Sequence, residues 1–289
     1  MNNIDEMLEL LKSEELKILK EFHKICEENK LKYTIAFGTM IGSVRHQGFI
    51  PWDDDIDVVM PIEDYKRFKE LSTDKLSDKY FLQDSETDPG FIYPYMKIRL
   101  NNSCMVNPLS KKYKYKNKGI YMDIFPVNYL PKNKIVQKFQ KYSLTIIGHI
   151  ITTFCFETVK MGRTFPQKCA KLLLWIFNKV IPYKVLLFMH NKIVSIGKKE
   201  TAKKYCIYCS EEMGFMDKYT LDLDYFEDRI LLPFEDSKFY MPKNYDEIMT
   251  HIYGDYMAIP KEKKTHGIIF ASNNMNYEEF LMRKGNENG

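Results

Sequence analysis

Apolar and polar positions alternate with two different periods along this chain. Residues 13–30 carry Leu16, Leu19, Phe22 and Cys26 at helical spacing, with Lys and Glu placed opposite, which predicts an amphipathic helix. The period then shortens: "YTIAF" (33–37) is β-branched and aromatic and reads as a strand stopped by Gly38. "TMIGSVRH" (39–46) predicts a short helix leaving that glycine turn. "IDVVM" (56–60) predicts a second strand closed by Pro61, after which "IEDYKRFKELS" resumes a helical period. Further short strands are predicted at 80–84, 93–100 and 119–127. Helices alternating with short strands over the first 130 residues predict an α+β (α/β) core with a mixed sheet.

From about Pro131 to Lys204 the pattern changes to apolar helical stretches studded with lysine, a predicted helical insertion. Between Lys132 and Lys204 the only acids are Glu157 and Glu200, and "KKYKYKNKG" (111–119) has none. Such a cationic block suits an anionic lipid surface or a polyanionic substrate, and a solvated basic face accounts for it equally. The apolar faces of the insertion have two destinations, a membrane interface or the protein core. The remainder, loop-rich and aromatic, is expected to fold back on the core. The expected organisation is thus a catalytic core at 1–130, a basic helical insertion at 131–204 and a returning C-terminal segment at 205–289.

Composition adds limits. The 289 residues carry a net charge of +4, too mild to argue for nucleic acid. The N-terminus shows no secretory signal, and no run of about 18 apolar residues is present to span a bilayer. Six scattered cysteines fit reduced, buried thiols, so a cytoplasmic location is expected, at most peripheral to the inner face of a membrane. Cys206 and Cys209 form a lone C-x-x-C without a second pair, which reads as packed small side chains rather than a zinc site.

The candidate chemistry lies in "GFIPWDDDIDVVM" (48–60). If 56–60 is a strand, Asp55 and Asp57 point one way while Ile56 and Val58 point into the core. Two carboxylates side by side repel unless a cation lies between them, and hard oxygen ligands suit Mg²⁺ or Mn²⁺. Asp123, set between Tyr121-Met122 and Ile124-Phe125, is a third acid in an apolar strand and is costly there unless a metal or a cationic partner compensates it. Upstream, the glycine turn of "IAFGTMIGSVRH" exposes backbone N–H groups and the hydroxyls of Thr39 and Ser43 to a phosphate, with Arg45 in reach. An acidic surface turn without catalytic role is the competing reading of the aspartates alone.

Strand, G-T, D-x-D and a later lone acid together resemble the nucleotidyltransferase superfamily of the polymerase-β type. The longer block "GTMIGSVRHQGFIPWDDDIDVVM", with "YMDIFPVNYLP" and "PKNYDEIMTHIYGDYM", resembles the LicD family, which includes the fukutin-type enzymes. The resemblance covers both ends of the chain and is weakest in the helical middle. It implies a polymerase-β-like core and metal-dependent transfer of phosphocholine, or another alcohol phosphate, from a CDP-alcohol to a hydroxyl of a cell-surface glycan or lipid-linked glycan. It further implies that Asp55, Asp57 and Asp123 hold the metal, with Asp53 behind them. Gly38, Thr39 and Arg45 would meet the donor's phosphates, and His46, Trp52, Lys97 (or Arg99) and His266 are lesser candidates. Tyr253, Gly254 and Asp255 match the family's pattern. A choline head calls for aromatic faces, for which Tyr93, Tyr95, Tyr113, Tyr115 and the tyrosines between 245 and 256 are available. An enzyme that uses NTP and releases pyrophosphate is allowed by the superfamily pattern.

Overall fold

A computed structural model of the chain describes residues 4–153, 169, 172–173, 175–177, 180–208, 218–261 and 267–286. Its elements in chain order begin with α1 (Ile4–Glu28), β1 (Thr34–Ile35), α2 (Phe37–His46), β2 (Asp57–Pro61), α3 (Ile62–Lys75), β3 (Tyr80–Gln83) and β4 (Met96–Leu100). Then come β5 (Cys104–Val106), β6 (Tyr121–Tyr129), α4 (Lys134–Thr153), α5 (Tyr183–Val194), β7 (Lys204–Ile207) and β8 (Thr220–Asp222). The C-terminal part holds β9 (Arg229–Phe234), β10 (Ser237–Pro242), α6 (Tyr245–Tyr253), β11 (Phe270–Ser272) and α7 (Tyr277–Asn286).

Among the described residues the main sheet has seven strands, ordered β1-β2-β6-β4-β3, with β7 and β8 continuing from the far half of β6. It is mixed: β2 and β6 run parallel, and every other neighbouring pair in it is antiparallel. Nine-residue β6 is the spine, because its first half pairs with β4 and its last three residues with β7. The mixed α/β character expected of the core is therefore observed.

One face of the sheet is apolar. Val58 and Met60 of β2, Met122 and Ile124 of β6, and Met96 and Ile98 of β4 pack with Ile18, Leu19 and Phe22 of α1. Period-2 alternation puts the intervening residues Asp57, Asp123, Lys97 and Arg99 on the opposite face. Burial of the first set anchors the strands, so the second set is held at fixed spacing. The β9–β10 hairpin returns to this core through Phe234, Phe239 and Met241, joined by Met249 of α6.

The elements differ from the sequence reading in informative places. Helix α1 begins at Ile4, well before residue 13, because Met7 and Leu11 extend its buried stripe. Strand β1 has only two residues, since Phe37 already opens α2 with a left-handed φ of 47°. Ring contacts with Phe125 and Tyr219, with centroids 5.5 and 5.8 Å away, accompany this unfavourable turn. Tyr93 to Tyr95 precede β4 rather than belong to it. The C-terminal segment is more regular than expected: it contributes a hairpin and β11, which pairs with the unforeseen β5.

Candidate active site

The site forms where β2 and β6 lie parallel. Asp57 opens β2 and stands in register with Asp123 of β6. Across β6's other edge Lys97 stands opposite Asp123, and Gln83 of β3 lies opposite Lys97. Residues paired in register share a face, so Asp57, Asp123 and Lys97 form a row across the sheet. The Lys97 ammonium lies 2.5 Å from Asp123 Oδ1, and both side chains are almost completely buried. Burial pulls Lys97 below the usual lysine range, against the opposing pull of Asp123. The ammonium also sits 3.5 Å from the Tyr121 ring centroid, with the Tyr95 and Tyr93 rings at 5.5 and 5.6 Å.

The loop before β2 brings in more acid. Single ligand oxygens of Asp53, Asp54 and Asp55 all lie within 4.8 Å of one another. Asp54, not among the candidates read from the sequence, is completely buried. Burial holds Asp57 well above the usual carboxylate range, and the charges of Asp55, Asp123 and Asp53 push it further in the same direction. This repulsion is what a divalent cation would relieve. The donors are all carboxylate oxygens, which suit Mg²⁺ or Mn²⁺ over softer metals. The ligand oxygens that converge among the described residues are those of Asp53, Asp54 and Asp55, and the charges of Asp53, Asp55 and Asp123 reach Asp57 beside them.

The glycine turn supports this arrangement. A Cβ on Gly38 would stand 2.5 Å from Asp53 Oδ2, so only glycine lets that carboxylate approach the first turn of α2. The helix N-terminus favours a negative charge there. Thr39 Oγ1 accepts a hydrogen bond from the Asp57 backbone N–H at 2.9 Å, tying α2 to the start of β2.

Other candidates are directed elsewhere. Ser43 is buried and donates to the Pro233 carbonyl at 2.7 Å, so its hydroxyl clamps α2 to β9 instead of lining the phosphate turn. One nitrogen of Arg45 donates to the carbonyls of Tyr256 and Ala258 at 2.8 and 3.2 Å. Its guanidinium carbon lies 5.8 Å from the Trp52 ring. Trp52 is half-buried against the main core, with His46 edge-on to it at 6.4 Å. Burial lowers the His46 pKa, and Arg45 adds to the effect. Of the C-terminal matches, Gly254 caps α6 by donating to the Thr250 carbonyl, and Asp255 accepts from the Ala258 N–H. His266 lies outside the described residues, as does Cys209, whose partner in the C-x-x-C, Cys206, is buried.

A cavity of about 250 Å³ opens on the site. Asp55, Asp123, Lys97 and Arg99 line it together with Tyr93, Tyr95, Tyr113, Tyr115 and Tyr121. Tyr113 and Tyr115 stack with centroids 5.1 Å apart, and the Tyr93 and Tyr113 hydroxyls hydrogen-bond at 2.9 Å. Five tyrosines thus line this cavity, four of them among those singled out from the sequence. A larger cavity of about 420 Å³ shares Tyr93 and Tyr95 and runs under α5 past Phe188 and Lys192, without touching the aspartates.

A further acid was hidden from sequence reasoning. Glu15 of α1 is wholly buried, and the charges acting on it are those of Asp55, Asp54, Asp53 and Asp123. The available signal was its place on the apolar stripe, four residues after Leu11 and four before Leu19.

Comparison with known proteins places the chain in a family. Residues 30–149 match the family model described as the LicD/FKTN/FKRP nucleotidyltransferase domain, a span that contains every aspartate of the site. The lipopolysaccharide cholinephosphotransferase LicD of Haemophilus influenzae is 30% identical over 260 residues, which cover 88% of this chain and 93% of that protein. An uncharacterized protein of Rickettsia typhi is 29% identical over 151 residues, about half of each chain. One of Rickettsia prowazekii is 47% identical over 47 residues. With the aspartate block inside the matched domain and the likeness running nearly end to end, the chain belongs to the LicD family.

Proposed function

We propose that this protein is a metal-dependent phosphotransferase that moves phosphocholine from CDP-choline to a hydroxyl of a cell-surface glycan and releases CMP. The observation that carries the reading is Asp55 and Asp123 at the wall of a tyrosine-lined cavity, with Asp57 in register beside Asp123. The near full-length likeness to a lipopolysaccharide cholinephosphotransferase supports the choice of head group and of a glycan acceptor. A polymerase-β-like core over residues 1–130 is part of this proposal, with 131–204 as acceptor or membrane surface and 205–289 as a brace.

Mg²⁺ or Mn²⁺ on Asp55, Asp57 and Asp123 would neutralise the donor's diphosphate and the charge growing on departing CMP. The chain's own groups do the rest. The acceptor oxygen attacks the phosphorus that bears choline, the bond from that phosphorus to the bridging oxygen of CMP breaks, and the hydroxyl proton passes to a carboxylate of the site. Asp123 is the carboxylate proposed to take it, since it stands in register with Asp57 and lines the cavity where the acceptor would enter. Tyr93, Tyr95 and Tyr121 already surround the Lys97 ammonium, so their ring faces are arranged for a cation. A quaternary ammonium in the same cavity meets the same faces.

The helical layer bears on the acceptor. Ile135, Phe139, Tyr142 and Ile146 form an exposed stripe along α4, and Val185, Phe188 and Met189 are exposed on α5. Lys134, Lys138, Lys184 and Lys192 flank them, all exposed. No helix among the described residues is long and apolar enough to cross a membrane. The proposed role is peripheral contact with an anionic bilayer at its cytoplasmic face, where a lipid-linked glycan is presented.

The test is a product assay by ³¹P NMR with Mg²⁺ or Mn²⁺ and, separately, CDP-choline, CDP-ethanolamine, CDP-ribitol, CDP-glycerol and mixed NTPs. CMP from CDP-choline is the expected result. CMP from another CDP-alcohol alone would change the head group, and pyrophosphate from an NTP would make this a nucleotidyltransferase.

A further inference from the structure

Glu15 presents a problem that the folded chain does not solve. Its side chain is fully buried, and neither carboxylate oxygen has a hydrogen-bond partner among the described residues. A buried ionised carboxylate without a partner costs several kcal/mol. A neutral carboxyl fares little better, since its O–H also needs an acceptor within reach and none is present. Lys12, one turn earlier and within range of its charge, directs its ammonium to the carbonyls of Ile50 and Pro51, at 3.1 and 2.8 Å. Burial, and after it the charges of Asp55, Asp54, Asp53 and Asp123, hold its pKa well above the usual carboxylate range. Packing alone does not call for an acid here: Leu11, Ile18, Leu19 and Phe22 on the same stripe are apolar and equally buried.

The site explains what the packing does not. We infer that Glu15 belongs to the cation centre, as a further carboxylate lent by α1 whose charge adds to that of the aspartates and strengthens binding of the ion. The inference rests on the reading of Asp55, Asp57 and Asp123 as a divalent-cation site. Glu15 comes from a helix outside the 30–149 span matched by the family domain, so the centre would couple the N-terminal helix to the aspartate loop. Its role is positioning and affinity, and its proton is not needed for the transfer.

The experiment is titration of the metal-free full chain with Mn²⁺, followed calorimetrically and by the electron paramagnetic resonance signal of free Mn²⁺. Wild type, Glu15→Gln and Asp55→Asn are compared. Removing a supporting carboxylate is expected to weaken Mn²⁺ binding about 10- to 100-fold. Glu15→Gln with wild-type affinity, while Asp55→Asn has lost it, would overturn the inference and leave the site standing. No Mn²⁺ binding by wild type, or none lost in Asp55→Asn, would overturn the site and the inference with it. Should Glu15→Gln not fold, Glu15→Leu, which suits the apolar stripe, is measured in its place with the same two outcomes.

Discussion

The face of the sheet at Asp57 and Asp123 and the outer face of α4 and α5 handle charge in opposite ways. On the sheet, acids are brought together in a half-buried setting, where β-pairing sets their spacing and each raises the cost of ionising the next. On the helices, lysines are spread through solvent around a stripe of exposed apolar side chains. Rigid, desolvated charge suits chemistry at one atom, because the field acts before the reactants arrive. Diffuse, solvated charge suits adhesion to an extended surface, where many weak contacts add and salt screens them. The two regions meet at Tyr93 and Tyr95, which line both the aspartate cavity and the larger one under α5.

The sharpest way to break this comparison is to remove one acid. Asp57→Asn or Asp55→Asn is expected to lower metal-dependent CMP release by about 10³-fold, several kcal/mol of transition-state charge stabilisation. Thermal melts of the metal-free variants should match or exceed wild type, since a like-charge contact has been relieved. Turnover at the wild-type rate in either variant would remove the site.

Removing the site's own cation acts on the fold. Lys97→Met leaves Asp123 buried without its partner, for an expected loss of about 3–5 kcal/mol in denaturant melts. Adding Asp123→Asn to that variant should restore most of the loss. If the single variant is as stable as wild type, Asp123 does not depend on Lys97.

Titration separates the regions by sign. Burial lowers His190 of α5 to about 4 from 6.5. The unfolded chain therefore takes up this proton first as pH falls, and stability present above pH 6.5 is lost between 6.5 and 4, by about 3 kcal/mol. Asp57, raised by burial, works the other way: its contribution is present at low pH and is lost as pH rises through its folded pKa. Melts of His190→Gln against wild type at pH 4.5 and 7 should show a stability gap that shrinks on acidification.

The smallest effect in solution is expected at the helical stripe. Replacing Phe139 and Phe188 with Ser should leave both stability and CMP release near wild type, as both rings are exposed. Flotation with anionic liposomes at low salt should fall several-fold. Unchanged flotation would show that the stripe is not the membrane-facing surface.

Much of the site was written locally. Asp55 and Asp57 lie two apart at a strand edge, and Asp123 stands alone in an apolar run; both patterns follow from the alternation of a strand and need no knowledge of the fold. Gly38 and Thr39 were legible for the same reason, since a strand-to-helix turn is a short-range event. The lysine-rich helices of the middle were legible as helices.

Long-range pairing settled the rest. Nothing near Lys97 in the chain says that it, and not Arg99, would meet Asp123; antiparallel register between β4 and β6 decides it, while Arg99 turns to Gln83 and the Gly119 carbonyl. That Ser43 would donate to the Pro233 carbonyl, and Arg45 to those of Tyr256 and Ala258, some 200 residues later, is likewise not written near them in the chain. Glu15 looked like one more solvated acid on a charged helix, and only the packing of α1 against the sheet buries it among the aspartates. Dihedral preference and side-chain alternation act over a few residues and can be read along the chain. Which side chain loses its water, and which distant group replaces it, is decided by contacts that exist only once the strands have paired.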